Sequence, residues 1–270
     1  MSRTVDLPLR PATSGKRSHR MLEIVELITA RGSISLSELS ATLGVSSATV
    51  RRDLAELEFQ RLILRTHGGA TGVESLAELP VNLRDSQFQE AKRAIAAAVA
   101  GLVPTDRYAV ALSGGSTAAT VARALSNHSD LTIVTNSLSI AALVTSFPRL
   151  KVIMTGGLLR PQSLELVGVL AENTFNAINV GAAILGTDGI TASGGITTHD
   201  ETEARTNNAM VTHAQRTIVV ADGSKIGRIA LAKVADIQQV ELLITDESAD
   251  AEELDRIRAR GVKVLVVSPT

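Results

Sequence analysis

The sequence predicts an α/β fold in two parts, a small N-terminal winged helix-turn-helix domain and a larger open α/β domain. Three observations predict it. Residues 46–58 have Val50, Leu54 and Leu57 at helical spacing on one side, leaving Ala48, Thr49, Arg51 and Arg52 to face outward. From residue 107 onward, short runs that are apolar throughout alternate with helical patterns, which suits parallel strands buried on both faces. The residues that follow several of those runs are Gly, Ser, Thr and Asn, types suited to contacting an anion at a strand end or helix start.

A chain of 270 residues has room for two domains, and a hydrophobic content of 44% with 20% charged residues describes a globular protein with a sizeable core. The formal net charge of -1 is unevenly spread. Arg3, Arg10, Lys16, Arg17 and Arg20 face a single acid, Asp6, so residues 1–16 read as a basic arm suited to phosphate contact. The absence of cysteine excludes disulfides, thiol catalysis and Cys-based metal sites. His19, His67, His128, His199 and His213 lack metal-ligand spacing, so no metal and no cofactor is expected. No signal-peptide pattern follows the basic residues, and the Ala-rich stretch 94–103 is too short to span a bilayer; a cytoplasmic protein without membrane contact is expected.

Residues 17–73 read as the winged helix-turn-helix. A first helix over 17–31 places Met21, Ile24, Val25 and Ile28 on one side and ends at Gly32. Ser35 and Glu38 make a capping-box pattern that opens a second helix with Leu36, Leu39 and Leu43 on one face. Gly44 breaks it, and Ser46 caps the third helix. Around the start of that helix the hydroxyls of Ser46, Ser47 and Thr49 can approach base edges, while Arg51 and Arg52 reach guanine edges or phosphates. Residues 61–70 alternate enough for a hairpin turning at Gly68-Gly69, a wing that sets Arg65 and His67 beside the DNA backbone.

The string Leu-Gly-Val-Ser-Ser-Ala-Thr-Val-Arg-Arg-Asp-Leu over 43–54, followed by Leu-Arg-Thr-His-Gly-Gly-Ala over 64–70, resembles the N-terminal signature of the DeoR family of bacterial transcriptional regulators. The family pattern has Gly where Arg61 stands. A non-Gly residue at positive φ costs on the order of 1 kcal/mol, so a differently closed helix end is expected here.

Residues 74–90 have weak periodicity and a proline at 80, and read as a linker. An Ala-rich helix over 90–102 opens the second domain, assigned to residues 91–270. Strands are expected at 108–112, 131–134, 151–154, 180–185, 217–221, 241–245 and 262–267. Ligands of open α/β sheets sit at the carboxyl ends of strands, so the loops there carry the candidate site. Gly114, Gly115, Ser116 and Thr117 follow the first strand and open a helix, Asn136 and Ser137 follow the second, and Gly156 and Gly157 follow the third. Asp188 follows the fourth, Glu203 stands just inside a helix start, and Lys225 lies in the loop after the fifth.

These pieces occur in the order of the DeoR effector domain, which is similar in fold to ribose-5-phosphate isomerase. The resemblance implies a phosphorylated sugar or polyol as effector, with Ser116, Thr117, Asn136 and Lys225 as anion contacts and Asp188 as a hydroxyl acceptor. Two positions depart from it: Ser113 stands where many members have Asp, and Asn207-Asn208 where a basic residue is common. Either alters ligand choice or weakens affinity.

The expected function is a repressor of carbohydrate-metabolism genes that binds double-stranded operator DNA as a homo-oligomer, dimer or tetramer, and is released by the phosphorylated sugar. The alternatives are a transcriptional activator, a regulator without a small ligand, and a sugar-phosphate isomerase-like enzyme in which Asp188, Glu203 and Lys225 move protons.

Overall fold

The computed structural model describes residues 15–73 and 78–268. They divide between Ser86 and Gln87 into two compact units. The basic arm lies outside the described residues up to residue 14, and the first helix begins one residue later.

In the first unit, helix α1 (Gly15–Arg31) leads into strand β1 (Ser33–Ser35), helix α2 (Leu36–Leu43), helix α3 (Ser47–Phe59), and strands β2 (Ile63–Arg65) and β3 (Gly69–Gly72). Met21, Ile24, Val25 and Ile28 of α1 meet Leu39 of α2 and Val50, Leu54 and Leu57 of α3 in one core. The Ser35–Glu38 capping box is present, and Gly44 closes α2 in the left-handed conformation at φ 62°. Strand β1 makes the wing a three-stranded sheet in the order β1-β3-β2. Too short for a periodicity, β1 is held by pairing Ser35 with Gly69, where a Cβ on Gly69 would overlap the Ile34 carbonyl. Gly69 therefore belongs to a strand, and the wing turns over residues 66–68 instead of at Gly68-Gly69.

The end of α3 also corrects an expectation. Arg61 itself adopts φ 58°. Its N–H donates to the Glu58 carbonyl at 2.9 Å, and the Leu62 N–H donates to the Leu57 carbonyl at 2.9 Å. These are the paired bonds of a Schellman closure, with buried Leu57 and Leu62 as its apolar partners. The helix closes as a glycine would close it, with an arginine bearing the backbone strain.

The segment read as linker is partly structured. Helix α4 (Val81–Arg84) follows Pro80, and Leu83 joins the core of the first unit. Two buried side chains at 81 and 83 are too few to register as periodicity.

The second unit begins with helix α5 (Gln89–Leu102). There follow β4 (Tyr108–Leu112), α6 (Ser116–Ala124), β5 (Leu131–Thr135), α7 (Leu138–Val144) and β6 (Lys151–Met154). A hairpin of β7 (Leu158–Arg160) and β8 (Glu165–Val167) precedes α8 (Val169–Asn176) and β9 (Ala182–Leu185). Next come β10 (Gly189–Thr191), β11 (Gly195–Thr198), α9 (Glu201–Thr212), β12 (Thr217–Val220) and β13 (Ala232–Ala235). The described chain closes with β14 (Leu242–Asp246), α10 (Ala251–Arg258) and β15 (Lys263–Val267).

Seven strands form one sheet in the order β15-β14-β12-β9-β4-β5-β6, with every neighbouring pair parallel. Alternation splits the inner strands between two cores. Val110, Leu112, Ile133, Ile184 and Ile218 pack with α5, α6 and α7, while Ala111, Val134, Ala183, Leu185 and Val219 pack with α8, α9 and α10. Burial on both faces explains why these runs are apolar throughout. A second sheet, β10-β11-β13, is antiparallel and was not anticipated from the sequence. The chain builds outward from β4 through β5 to β6 on one side, and from β9 through β12 and β14 to β15 on the other. The switch point between β4 and β9 is where an open α/β sheet forms its ligand crevice.

Candidate functional site

In the first unit, α3 presents Ser47, Arg51 and Arg52 to solvent with Thr49 half-buried, and His67 is exposed in the wing. Ser46 acts as the N-cap: its hydroxyl accepts the Thr49 N–H at 3.3 Å and bonds the Thr49 hydroxyl at 3.0 Å. Arg52 Nε donates to the Ala48 carbonyl at 3.3 Å, lying along its own helix. Arg65 is exposed, but its guanidinium lies 3.6 Å from Glu58, which also accepts the Arg65 N–H at 3.3 Å. The wing arginine is thereby tied to the end of α3.

A group that the sequence reading did not single out orients this helix. Asp53 is buried and accepts Arg17 Nε at 3.0 Å and Arg20 Nε at 2.6 Å. Two arginines counted with the basic N-terminus are thus bound to the core side of α3. The signal was an aspartate on the apolar stripe, one residue before Leu54.

In the second unit the crevice is built from strand ends. Ser113 ends β4, and its hydroxyl accepts the Gly186 N–H at 3.0 Å, joining the β4 and β9 loops at the switch point. This departure from the family pattern is fully used. The Gly114 N–H donates to Glu165 Oε1, and a Cβ at Gly114 would overlap that carboxylate. Gly115 takes φ 97° as the N-cap of α6, with no side chain capping the helix. Ser116 and Thr117 are buried in its first turn, and a helix start without a side-chain cap suits an anion.

The second loop differs. Ser137 caps α7, accepting the Ile140 N–H at 3.4 Å and bonding Ser139 at 2.9 Å, so its hydroxyl already serves the fold. Asn136 is fully buried: its Nδ2 donates weakly to Asn207 Oδ1 at 3.4 Å, and its Oδ1 finds no partner among the described residues. Thr155, at the end of β6, likewise has a buried hydroxyl without a partner among the described residues. Gly157 leads into the β7–β8 hairpin at φ 137°, where a Cβ would overlap the Val167 carbonyl. Leu170 stands over Gly156. Backbone packing accounts for Gly157, whereas a Cβ at Gly156 would meet Leu170 only at ordinary contact distance.

The acidic side of the crevice converges. Thr198 Oγ1 lies 3.0 Å from Asp188 Oδ2 and 2.6 Å from Glu203 Oε1, and Arg160 donates to Glu203 Oε2 at 3.1 Å. Arg160 also lies 3.4 Å from Asp200, the N-cap of α9. Burial pushes the Glu203 carboxyl above its ordinary range, with Asp188 adding to the effect; the hydrogen bond from Thr198 and the charge of Arg160 only partly offset it. Asn207 lies one turn beyond Glu203 on α9, so that helix reaches both the acids and Asn136. Arg160, Glu165 and Thr198 lie on β7, β8 and β11, short strands without a signature in the sequence, and Asn207 was marked there only as a departure from the family pattern.

Lys225 is half-buried in the short turn Gly223–Lys225 beyond β12, two strands from β4 at the same end of the sheet. Asp246 holds that turn by accepting the Gly223 N–H at 2.7 Å. Burial pushes Asp246 up, but hydrogen bonds from Ser248 and Gly223 outweigh it and hold the carboxyl below its usual range.

A helix-turn-helix unit in one chain with a parallel α/β unit that gathers polar groups at its strand ends is the plan of a DNA-binding regulator with a sensor domain. The comparisons agree with that class: residues 20–75 match the DeoR-like helix-turn-helix domain, and residues 87–247 match the DeoR C terminal sensor domain. The chain belongs to the DeoR family. It is 35% identical to a putative aga operon transcriptional repressor of Escherichia coli O157:H7, over 93% of this chain and 94% of the relative. It is also 35% identical to the glycerol-3-phosphate regulon repressor of Escherichia coli K12, over 86% and 91%. An HTH-type transcriptional regulator of Haloferax volcanii is 38% identical over 92% and 97%. Among solved structures, ribose 5-phosphate isomerase A from Methanocaldococcus jannaschii is similar at 17% identity over 51% of this chain and 54% of the other, with a TM-score of 0.38. Among the described residues, no helix is long and apolar enough to cross a membrane.

Proposed function

We propose that the chain is a cytoplasmic transcriptional repressor of carbohydrate-metabolism genes, released from double-stranded operator DNA by a phosphorylated sugar or polyol. The carrying observation is the pairing, across the β4–β9 switch point, of an uncapped helix N-terminus at Gly115–Ser116 with the buried acids Asp188 and Glu203. The first suits an anion and the second suits hydroxyls, and a phosphorylated polyol has both. The name of the glycerol-3-phosphate regulon repressor supports the same class of ligand. Ser116 and Thr117 flank the phosphate, Asn136 offers its unused amide oxygen, and Lys225 adds positive charge at the rim.

On the DNA side, Ser47, Thr49, Arg51 and Arg52 enter the major groove while Arg65 and His67 follow the backbone. A homo-oligomer sets two such helices about 34 Å apart on a repeated operator. Differential affinity of the effector for two domain arrangements suffices for release.

The test is operator binding with and without a panel of sugar phosphates, beside an assay for turnover of each compound. The expected result is a complex weakened by one compound that is not consumed. Lys225→Ala is expected to bind operator normally and respond to that compound only at raised concentration. Arg52→Ala is expected to show the reverse pattern. Turnover without ligand-sensitive DNA binding overturns the reading and makes the Asp188–Glu203 pair a catalytic centre.

A further inference from the structure

We infer that the open edge of the large sheet at β6, with the β7–β8 hairpin and the start of α8, is the face through which two copies of this chain assemble. The inference rests on the reading of the protein as a homo-oligomer and adds the surface.

Strand β6 is terminal in the sheet and pairs only with β5. Natural edge strands are blunted by charge, proline or a bulge, because an open row of backbone groups recruits another strand. Beyond Lys151 at its start, β6 has none of these, and residues 152–159 contain no charged side chain. Ile153 and Met154 on β6 are exposed, and so are Leu158, 75% exposed, and Leu159 on β7, which follows it closely in the chain. Leu170 lies over Gly156 between them and is 66% exposed, and its neighbour Val169 is 63% exposed. Arg160, at the end of β7, is turned inward onto Glu203 and Asp200, while Lys151 is exposed at the start of β6.

At these exposures the six side chains present on the order of several hundred Å² of apolar surface. That matches the largest patches monomers carry, about 300–600 Å². It also matches the apolar part of an interface burying about 800 Å² per partner. A second copy is the occupant that suits this face best. Two β6 edges meeting about a two-fold axis satisfy each other's backbone groups and bury the same apolar side chains from both sides. The opposite edge, β15, offers only Leu265 and Val266 as large exposed apolar side chains among the described residues.

The experiment is the mass of the full-length protein in solution by light scattering, for the wild type, for Leu158→Asp, for Leu170→Asp and for Leu265→Asp. The wild type is expected as a multiple of 28.3 kDa. Each of the first two substitutions is expected to halve the assembled mass at micromolar concentration, and Leu265→Asp to leave it unchanged. A wild type of single-chain mass overturns the oligomer reading itself. Unchanged mass in the first two variants, or dissociation by Leu265→Asp, overturns this surface alone. Cross-linking guards against misfolded variants, since the chain contains no cysteine. Ile153→Cys is expected to give a covalent dimer with a short bifunctional maleimide, and Leu265→Cys none. A dimer at Leu265→Cys, or no dimer at Ile153→Cys, rejects the β6 edge.

Discussion

Asp188 and Glu203 meet on one hydroxyl, that of Thr198, at 3.0 and 2.6 Å. A hydroxyl carries a single hydrogen and cannot donate to both carboxylates at once. The arrangement is satisfied when one acid is protonated, donates to Thr198 Oγ1, and Thr198 donates to the other. Burial, and the charge of Asp188, raise the affinity of Glu203 for protons.

Stability should report that proton. The folded state holds the Glu203 proton to higher pH than the unfolded chain, so the folded state binds more protons and stability falls as pH rises above 4.5 and through the folded pKa. Glu203→Gln removes this slope. Denaturant titrations from pH 4 to pH 8 are expected to show the variant gaining on the wild type as pH rises; parallel curves would place the proton elsewhere.

Asp246 has the opposite sign. Its folded pKa lies below the ordinary 3.8, so its contribution is present above that value and is lost as pH falls through the folded pKa. Asp246→Asn is expected to lose about 1.5–3 kcal/mol at neutral pH, the range for hydrogen bonds to a charged acceptor. The deficit is expected to shrink in acid, as read by denaturant midpoints.

Arg61→Gly relieves a left-handed backbone without changing the Leu57–Leu62 closure. The first unit is expected to gain about 1 kcal/mol, seen as slower amide exchange in α3. A loss would mean that the Arg61 side chain stabilises more than its backbone costs.

Asp53→Ala removes the shared acceptor of Arg17 and Arg20. Losing charged hydrogen bonds of this kind costs about 1.5–3 kcal/mol each at most, and α3 loses its ionic tie to α1. Operator affinity is expected to fall at least tenfold although Asp53 faces away from DNA. Unchanged affinity in gel-shift titration would show that apolar packing alone orients the helix.

What could be read in advance followed the physics of each element. The helices around Met21, Leu39 and Val50 have enough turns for periodicity to show, and the inner sheet strands are buried on both faces. Strand β1 and helix α4 are set by pairing and by a few long-range contacts, which leave no local pattern. Among candidate site residues, Gly114 and Asp188 stand in the loops beyond β4 and β9. Ser137 stands likewise beyond β5, but its hydroxyl is needed by α7. Arg160 and Thr198 reach the acids from the β7–β8 hairpin and the small antiparallel sheet, neither of which was anticipated.

The parallel order β15-β14-β12-β9-β4-β5-β6 sets a timetable for the newborn chain. No neighbour of β4 on the β9 side exists until synthesis has passed residue 185, and the last strand ends at Val267. The first unit, by contrast, is complete at Ser86. At about 5–20 residues per second, roughly 10–40 s separate the two events on the ribosome. For that interval each nascent molecule has its helix-turn-helix in place before it has the sheet that would let a metabolite govern it.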